Sequence, residues 1–277
     1  APGVSILTTS RERLNLQDEV VFRLDGLPLP SNTGAEANES VALFLRHALR
    51  TNPGMARDER SFAAIARICR LVDGTPLALV LAASSAGALS LAEIGDEVAR
   101  SLDVLETEIR DMPARHRSMR GVFDATWARL PPAEQQAFAV LSLFRGGFTR
   151  EAALAVTGRS ISTLVSLHSK SLVRHQDRRY SIHELLRQFG ATKLTESGGR
   201  KSAETAYAEH FLGWLASREP ALPDLEMAAV AEIDADFENI RQAWTIGVED
   251  ERHDLIEACL ASLMQYCRLR GRMPDAH

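Results

Sequence analysis

The segment Gly74-Thr75-Pro76 ends one helix and begins the next within three residues, and no other feature constrains the fold as strongly. Glycine readily adopts the left-handed conformation that follows many helices. Proline suits the first helical position, because the N–H that it lacks would be unpaired there in any case. Thr75 is predicted to cap the second helix with its hydroxyl group. The segment therefore predicts two consecutive helices that meet at Gly74.

Apolar residues at helical spacing surround this junction. One set begins near Ala37 and ends before Asn52-Pro53-Gly54, and a second set leads from Phe62 to Gly74. Ser90-Leu91-Ala92-Glu93 has the pattern of a capping box and predicts the start of another helix. Residues 31–112 are therefore predicted to form a domain built on a bundle of about four helices.

The middle of the chain predicts several helices followed by a hairpin. The predicted helices cover residues 119–130, 132–144, 149–156 and 162–169. Two strand-like runs follow at 172–175 and 179–182, joined by Gln176-Asp177-Arg178, and a further helix starts near His183. Helices followed by a hairpin are typical of a winged-helix domain, which we assign to residues 113–199.

The two ends of the chain differ from each other. The runs at 4–9 and 20–24 are rich in β-branched and apolar residues, so residues 1–30 are predicted to close the edge of an α/β core whose other strands lie upstream of Ala1. Residues 200–277 show helical periodicity and are predicted to start a helical arm. The predicted fold class is mainly α: a remnant of an α/β core, a helical lid, a winged helix and C-terminal helical hairpins.

Charge and cysteine content narrow the class of protein. Lys and Arg against Asp and Glu number 11 and 16 in residues 1–112, 13 and 6 in 113–199, and 8 and 15 in 200–277, so a basic middle lies between acidic flanks. Cys69, Cys259 and Cys267 are scattered and form no metal-binding pattern, which favours free thiols in a reducing cytoplasm. No apolar run has the length of a membrane span, so we expect no membrane partner.

Three motifs carry a resemblance to a known family. Thr8-Thr9-Ser10-Arg11-Glu12 resembles a sensor-1 strand end, Gly74-Thr75-Pro76-Leu77-Ala78-Leu79 resembles the GxP motif of a helical lid, and His183-Glu184-Leu185-Leu186-Arg187 resembles an MHD-type motif. Their order resembles that of STAND-class signal-transduction ATPases with an NB-ARC-like module, as in bacterial transcription regulators. Ile182 and Glu184 depart from the usual Met and Asp of the last motif. The stretch 236–244 also resembles a segment at the start of the arm in these regulators.

The resemblance implies a switch operated by ADP and ATP in a longer protein, with no nucleotide expected on this chain by itself. The residues that it implies for nucleotide binding are Arg11, Gly74, Pro76, Leu77 and His183. A guanidinium group suits a γ-phosphate, and a histidine at a helix start can donate to a β-phosphate. Nucleotide exchange would then release the helical arm.

The remaining expectations concern activity and partners. The sequence contains no GxxxxGK[ST] loop, so we expect no ATP hydrolysis by this chain and no catalytic or metal-binding residues. The implied partners are an N-terminal nucleotide-binding half, an inducer or protein on the arm, and other copies on activation. Direct DNA binding is not expected from the resemblance.

Two alternatives come from other classes. A DNA-binding winged-helix protein would use the basic middle segment, with these candidate residues: His168, Lys170, Arg174, Arg178 and Arg179. The helix in the recognition position offers few groove-reaching cations, whereas DNA affinity commonly needs about 6–10 phosphate contacts. The other alternative is a helical scaffold whose acidic C-terminal surface holds a protein or a small molecule.

Overall fold

A computed structural model describes residues 6–10, 16–22, 24–31, 38–107, 113, 116–218 and 227–271. Most of these residues are helical. The helices are α1 (Glu39–Thr51), α2 (Glu59–Leu71), α3 (Pro76–Ser84), α4 (Leu91–Arg100), α5 (Met119–Trp127), α6 (Pro132–Leu141), α7 (Arg150–Thr157), α8 (Ile161–Ser169), α9 (Glu184–Glu196), α10 (Arg200–Ala216), α11 (Met227–Glu249) and α12 (His253–Arg270). The strands are β1 (Arg174–Gln176) and β2 (Arg179–Ser181). The prediction of a mainly α fold is confirmed.

The strands predicted near the N-terminus are not found in the described residues. Residues 6–9, 20–22 and 24 have no strand structure, and Leu7 and Val20 are 99% and 94% exposed. The physical reason is that a strand needs a neighbour for its backbone and a second layer for its apolar face. Within the described ranges, strand pairing is confined to the hairpin and two single-residue bridges, so these runs have no sheet to join.

The described chain divides into two compact units. The first unit comprises residues 14–131 together with 183–189, and the second comprises 1–13, 132–182 and 190–277. Helix α9 is thus divided between them, with its start in the first unit and the part from Gly190 onwards in the second.

The first unit contains the predicted helical bundle. Ser90 accepts the N–H of Glu93 at 3.3 Å while its own N–H donates to the Glu93 carboxylate at 2.8 Å, so the predicted capping box is present at the start of α4. The largest buried side chains of the bundle are Phe44, Ile65, Ile68, Leu79, Leu81 and Ile94. Burial of such side chains stabilises the bundle by roughly 2 kcal/mol each relative to exposure.

The hairpin in the second unit turns over two residues. Asp177 and Arg178 have φ values of 49° and 65°, and Gln176 pairs with Arg179. Two consecutive positive φ values are the pattern of a type I′ turn, which matches the twist of antiparallel strands. The first strand begins at Arg174, two residues later than predicted. Leu172, which was predicted to start this strand, is buried ahead of it.

Helices α10, α11 and α12 pack against one another in the second unit. Their interface buries Tyr207, Phe211, Leu215, Ile233, Ile240, Ala243, Cys259 and Tyr266. The Tyr266 hydroxyl donates to Asp234 at 2.5 Å, which joins α12 to α11. None of the described helices combines the length and the apolar character that crossing a membrane requires.

Acid is expected to weaken the second unit through His210 on α10. Burial lowers the pKa of His210 from its ordinary value of 6.5, and the Asp236 carboxylate opposes part of this shift. The unfolded chain then binds the proton first as the pH falls, so the contribution of His210 to stability is present above pH 6.5 and is lost below it. We expect the fall in melting temperature between about pH 7.5 and pH 5.5 to be smaller in His210→Gln. An equal fall in both proteins would contradict this, and exposed His253 provides a control as His253→Gln.

Candidate functional site

Gly74 adopts the conformation that the sequence predicts. Its φ is +62°, and its N–H donates to the carbonyl of Cys69 at 3.0 Å, which closes the C-terminal end of α2. A Cβ atom at this position would lie 2.1 Å from the carbonyl oxygen of Leu27. Glycine is therefore required here both for its backbone conformation and for the close approach of another chain segment.

That segment, residues 26–28, which we call the linker, lies against the α2–α3 junction. The Leu27 N–H donates to the Gly74 carbonyl at 2.9 Å, and a Cβ on Gly26 would lie 2.2 Å from the carbonyl oxygen of Asp73. The Ser40 hydroxyl donates to the Pro28 carbonyl at 2.9 Å. Residues 26–28 are thus held through their backbone atoms, and they lie against Gly74 within the first unit.

The start of α3 differs in one respect from the prediction. Pro76 occupies the first helical position as predicted, but the Thr75 side chain makes no capping hydrogen bond. Its ψ is 112°, whereas Asn38 and Asp58, whose side chains do cap their helices, have ψ values of 136° and 174°. Pro76 is exposed and Leu77 is half-buried.

His183 lies against this same junction. Its Nδ1 atom accepts the N–H of Leu185 at 3.0 Å and so caps the start of α9. The ring proton is therefore on Nε2, which donates to the carbonyl of Val72 at 3.2 Å. The Asp73 carboxylate lies 3.9 Å from Nε2, and the His183 side chain is 11% exposed.

The residues after His183 hold the start of α9 in the first unit. The Glu184 carboxylate accepts two hydrogen bonds from the Arg187 guanidinium, at 2.7 and 2.6 Å. Gln188 donates to the carbonyls of Val98 and Ala99 at the end of α4, both at 3.1 Å. The longer carboxylate of Glu184 thus has partners on its own helix.

The structure brings His183 to the α2–α3 junction, although 111 residues separate His183 from Val72. Gly74, Pro76 and Leu77 belong to the same junction, whereas Arg11 lies outside the described residues. Sequence reasoning missed Val72, Asp73 and Leu27, because Val72 and Leu27 act through backbone atoms that any residue type provides. Among the described residues, no group of acidic, histidine or cysteine side chains has the geometry of a metal site.

The candidate DNA-binding residues His168, Lys170 and Arg179 contact other groups in the second unit. His168 Nδ1 lies 2.9 Å from the Val173 carbonyl oxygen. Lys170 Nζ forms an ion pair with Glu134 at 2.6 Å, and both side chains are largely buried. Arg179 binds Asp236 on α11 at 2.6 Å.

Arg174 and Arg178 are exposed on the hairpin. The outward face of α8 presents Ile161 and Val165, which are 41% and 55% exposed. Aliphatic side chains donate no hydrogen bonds to base edges, so this face is poorly suited to reading DNA.

Comparison with known proteins finds similarity to proteins that are named as transcriptional regulators. A protein of Mycobacterium tuberculosis H37Rv, named as an HTH-type transcriptional regulator, is 29% identical over 254 residues, which are 88% of this chain and 28% of that protein. A counterpart in Mycobacterium bovis has the same identity and coverage. This chain is similar to a segment of HTH-type transcriptional regulators. It spans 28% of their length.

Two other proteins also match this chain. An uncharacterized protein of Mycobacterium tuberculosis H37Rv is 26% identical over 221 residues, which are 76% of this chain and 54% of that protein. A crystal structure of a STAND protein with a tetratricopeptide repeat sensor, from Pyrococcus horikoshii, matches with 17% identity and a TM-score of 0.34, covering 91% of this chain and 34% of that one. No family model matches the chain. The names of the two regulator relatives agree with the resemblance to bacterial transcription regulators that the motifs predicted.

Proposed function

We propose that this chain is the regulatory part of a nucleotide-responsive transcription regulator, in which His183 reports the nucleotide state to the helical arm. The observation that carries the proposal is the placement of His183 against the α2–α3 junction, 3.2 Å from the Val72 carbonyl oxygen. The regulator relatives support the regulatory part of the proposal. The resemblance of the motifs to those of STAND-class ATPases supports the part of the proposal that concerns nucleotide binding.

The residues at the junction fit the phosphate end of ADP or ATP. His183 offers an N–H donor at Nε2, and the first turn of α3 offers backbone N–H groups that Thr75 does not cap. Exposed Pro76 and half-buried Leu77 offer an apolar surface for the base or ribose. The phosphate groups of the nucleotide would carry the negative charge that His183 Nε2 and the N–H groups of α3 bind. The Asp73 carboxylate, 3.9 Å from Nε2, opposes that charge and sets a limit on how the anion can lie.

His183 is placed so that its Nε2–H can change from one hydrogen-bond acceptor to another at a small cost in free energy. Nε2 carries one proton, so any contact with another acceptor requires the imidazole to leave the Val72 carbonyl. That carbonyl also accepts the N–H of Thr75 at 3.0 Å and would remain paired. Because Nδ1 caps α9 through Leu185, a movement of the ring would be transmitted to the start of α9.

The test is a titration of fluorescently labelled ADP into the protein extended upstream by the nucleotide-binding half that the proposal requires. We expect His183→Ala to weaken binding by about tenfold or more, which is the loss of one charge-assisted hydrogen bond. His183→Gln, which keeps an amide donor near the position of Nε2, should retain more of the affinity than His183→Asn.

His47→Ala is the matched control, because His47 is a half-buried histidine of the same unit that lies on α1. Its affinity for the labelled ADP should equal that of the unchanged protein. Equal affinity in His183→Ala and His47→Ala, with both proteins folded, would contradict the sensor role of His183.

A further inference from the structure

A fully buried asparagine on α11 uses all of its hydrogen-bonding capacity. Asn239 Oδ1 accepts the Arg145 N–H at 2.6 Å and the Tyr207 hydroxyl at 2.9 Å. Its Nδ2 group donates to the Gly147 carbonyl at 2.8 Å and to Asp236 Oδ1 at 2.9 Å. An amide has two acceptor and two donor sites, and here each of them has a partner.

The same network includes a nearly buried ion pair. Asp236 binds the Arg179 guanidinium of β2 with both carboxylate oxygens, at 2.6 and 3.2 Å, and Arg179 also donates to the Ala235 carbonyl. The Asp236 side chain is 9% exposed and that of Arg179 is 28% exposed. Removal of either partner would leave a poorly solvated charge behind.

These contacts join four parts of the second unit. They link the 145–147 loop, the hairpin, α10 through Tyr207, and α11 through Asp236 and Asn239. Aromatic rings pack beside them, with the ring of Phe144 5.2 Å from that of Tyr207 and 4.5 Å from that of Phe148. Phe148 in turn forms a backbone bridge with Tyr180 of β2. The polar network is therefore enclosed by packed side chains, which makes its opening costly.

We propose that Asn239, Asp236 and Arg179 form a latch that fastens the first two arm helices, α10 and α11, to the hairpin and the 145–147 loop. These parts then move together as one body. Separation of α10–α11 from the hairpin and the 145–147 loop would break the hydrogen bonds of Asn239 with Arg145 and Gly147 and those of Arg179 with Asp236 and the Ala235 carbonyl. If the proposed switch operates, and only this clause rests on it, the part of the arm that is released lies beyond α11.

Hydrogen–deuterium exchange of the full chain, without nucleotide, tests the latch. In the unchanged protein, we expect peptides that cover the hairpin and peptides that cover α10 and α11 to become exposed at similar rates. In Asn239→Leu, exchange in the 145–148 and 174–181 peptides should rise by about tenfold or more, because several buried hydrogen bonds are lost. Exchange in α8 should be unchanged. Glu238→Gln, an exposed change one residue away, is the matched control and should behave as the unchanged protein.

A second variant keeps the test decisive if Asn239→Leu does not fold. Arg179→Gln alters the more exposed end of the network and should raise hairpin exchange in the same peptides by a smaller factor. The latch is refuted if the hairpin of the unchanged protein exchanges more than about tenfold faster than α10 and α11. It is also refuted if both folded variants leave hairpin exchange unaltered. Because nucleotide is absent, neither result bears on the role of His183.

Discussion

Gly74→Ala is expected to lower the free energy of unfolding of the first unit by about 3 kcal/mol or more. The added Cβ would lie 2.1 Å from the Leu27 carbonyl oxygen and 2.9 Å from the Leu27 nitrogen, and both are backbone atoms that cannot turn aside as a flexible side chain would. The positive φ of +62° adds strain of about 1 kcal/mol for any residue with a Cβ. Gly74→Val should lower the free energy of unfolding more than Gly74→Ala does, because β-branched side chains are the most strongly excluded from the left-handed region.

Gly158 provides a control that separates the two costs. It ends α7 with a φ of +61°, almost the same as that of Gly74, but a Cβ there would meet no atom within 4 Å. Gly158→Ala should therefore cost only about 1 kcal/mol. Calorimetry of Gly74→Ala, Gly74→Val and Gly158→Ala, each measured against the unchanged protein, provides the comparison. Equal losses at the two glycines would show that the linker does not approach Gly74 as described.

Lys170→Met is expected to cost about 3 kcal/mol in the second unit. Lys170 Nζ lies 2.6 Å from Glu134 Oε2, and the two side chains are 17% and 12% exposed. Without the ammonium group, the carboxylate keeps the Ser166 hydroxyl, which donates to it at 2.9 Å, as its remaining described partner. A buried charge that loses its opposite partner is strongly destabilising, whereas replacement of both partners by apolar groups is often nearly neutral.

The double variant Lys170→Met with Glu134→Leu should therefore recover most of the lost stability. Arg178→Ala is the control for simple removal of a cation, because Arg178 is exposed on the hairpin turn, and it should change stability by less than about 0.5 kcal/mol. Urea unfolding followed by circular dichroism measures all of these proteins. A loss in Lys170→Met no larger than that in Arg178→Ala would mean that Lys170 is a solvent-facing cation, as the DNA-binding alternative requires.

The helices are the part of the fold that the sequence predicted best. Their apolar spacing, the capping box at Ser90 and the glycine at position 74 are local signals, each decided within about one helical turn. The hairpin was also predicted, but its first strand begins two residues later than predicted. Its turn uses Asp177 and Arg178 in conformations that favour glycine or asparagine, so the usual residue signal was missing.

The N-terminal strands show where local preference is insufficient. Residues 6–9 and 20–24 have strand-like composition, but the described chain supplies no sheet for them. Strand formation depends on a partner elsewhere, whereas a helix satisfies its own backbone.

The sequence by itself determined where several helices begin or end and that Gly74 takes a positive φ, because those outcomes depend on neighbours a few residues away. Only the tertiary structure decided that His183 reaches the Val72 carbonyl, that Lys170 pairs with Glu134 and that Arg179 pairs with Asp236. These contacts join residues separated by 111, 36 and 57 positions. A charge or a ring nitrogen has many candidate partners in a chain, and the packing of the helices selects one of them. The proposed roles of His183 and Asn239 both depend on that selection.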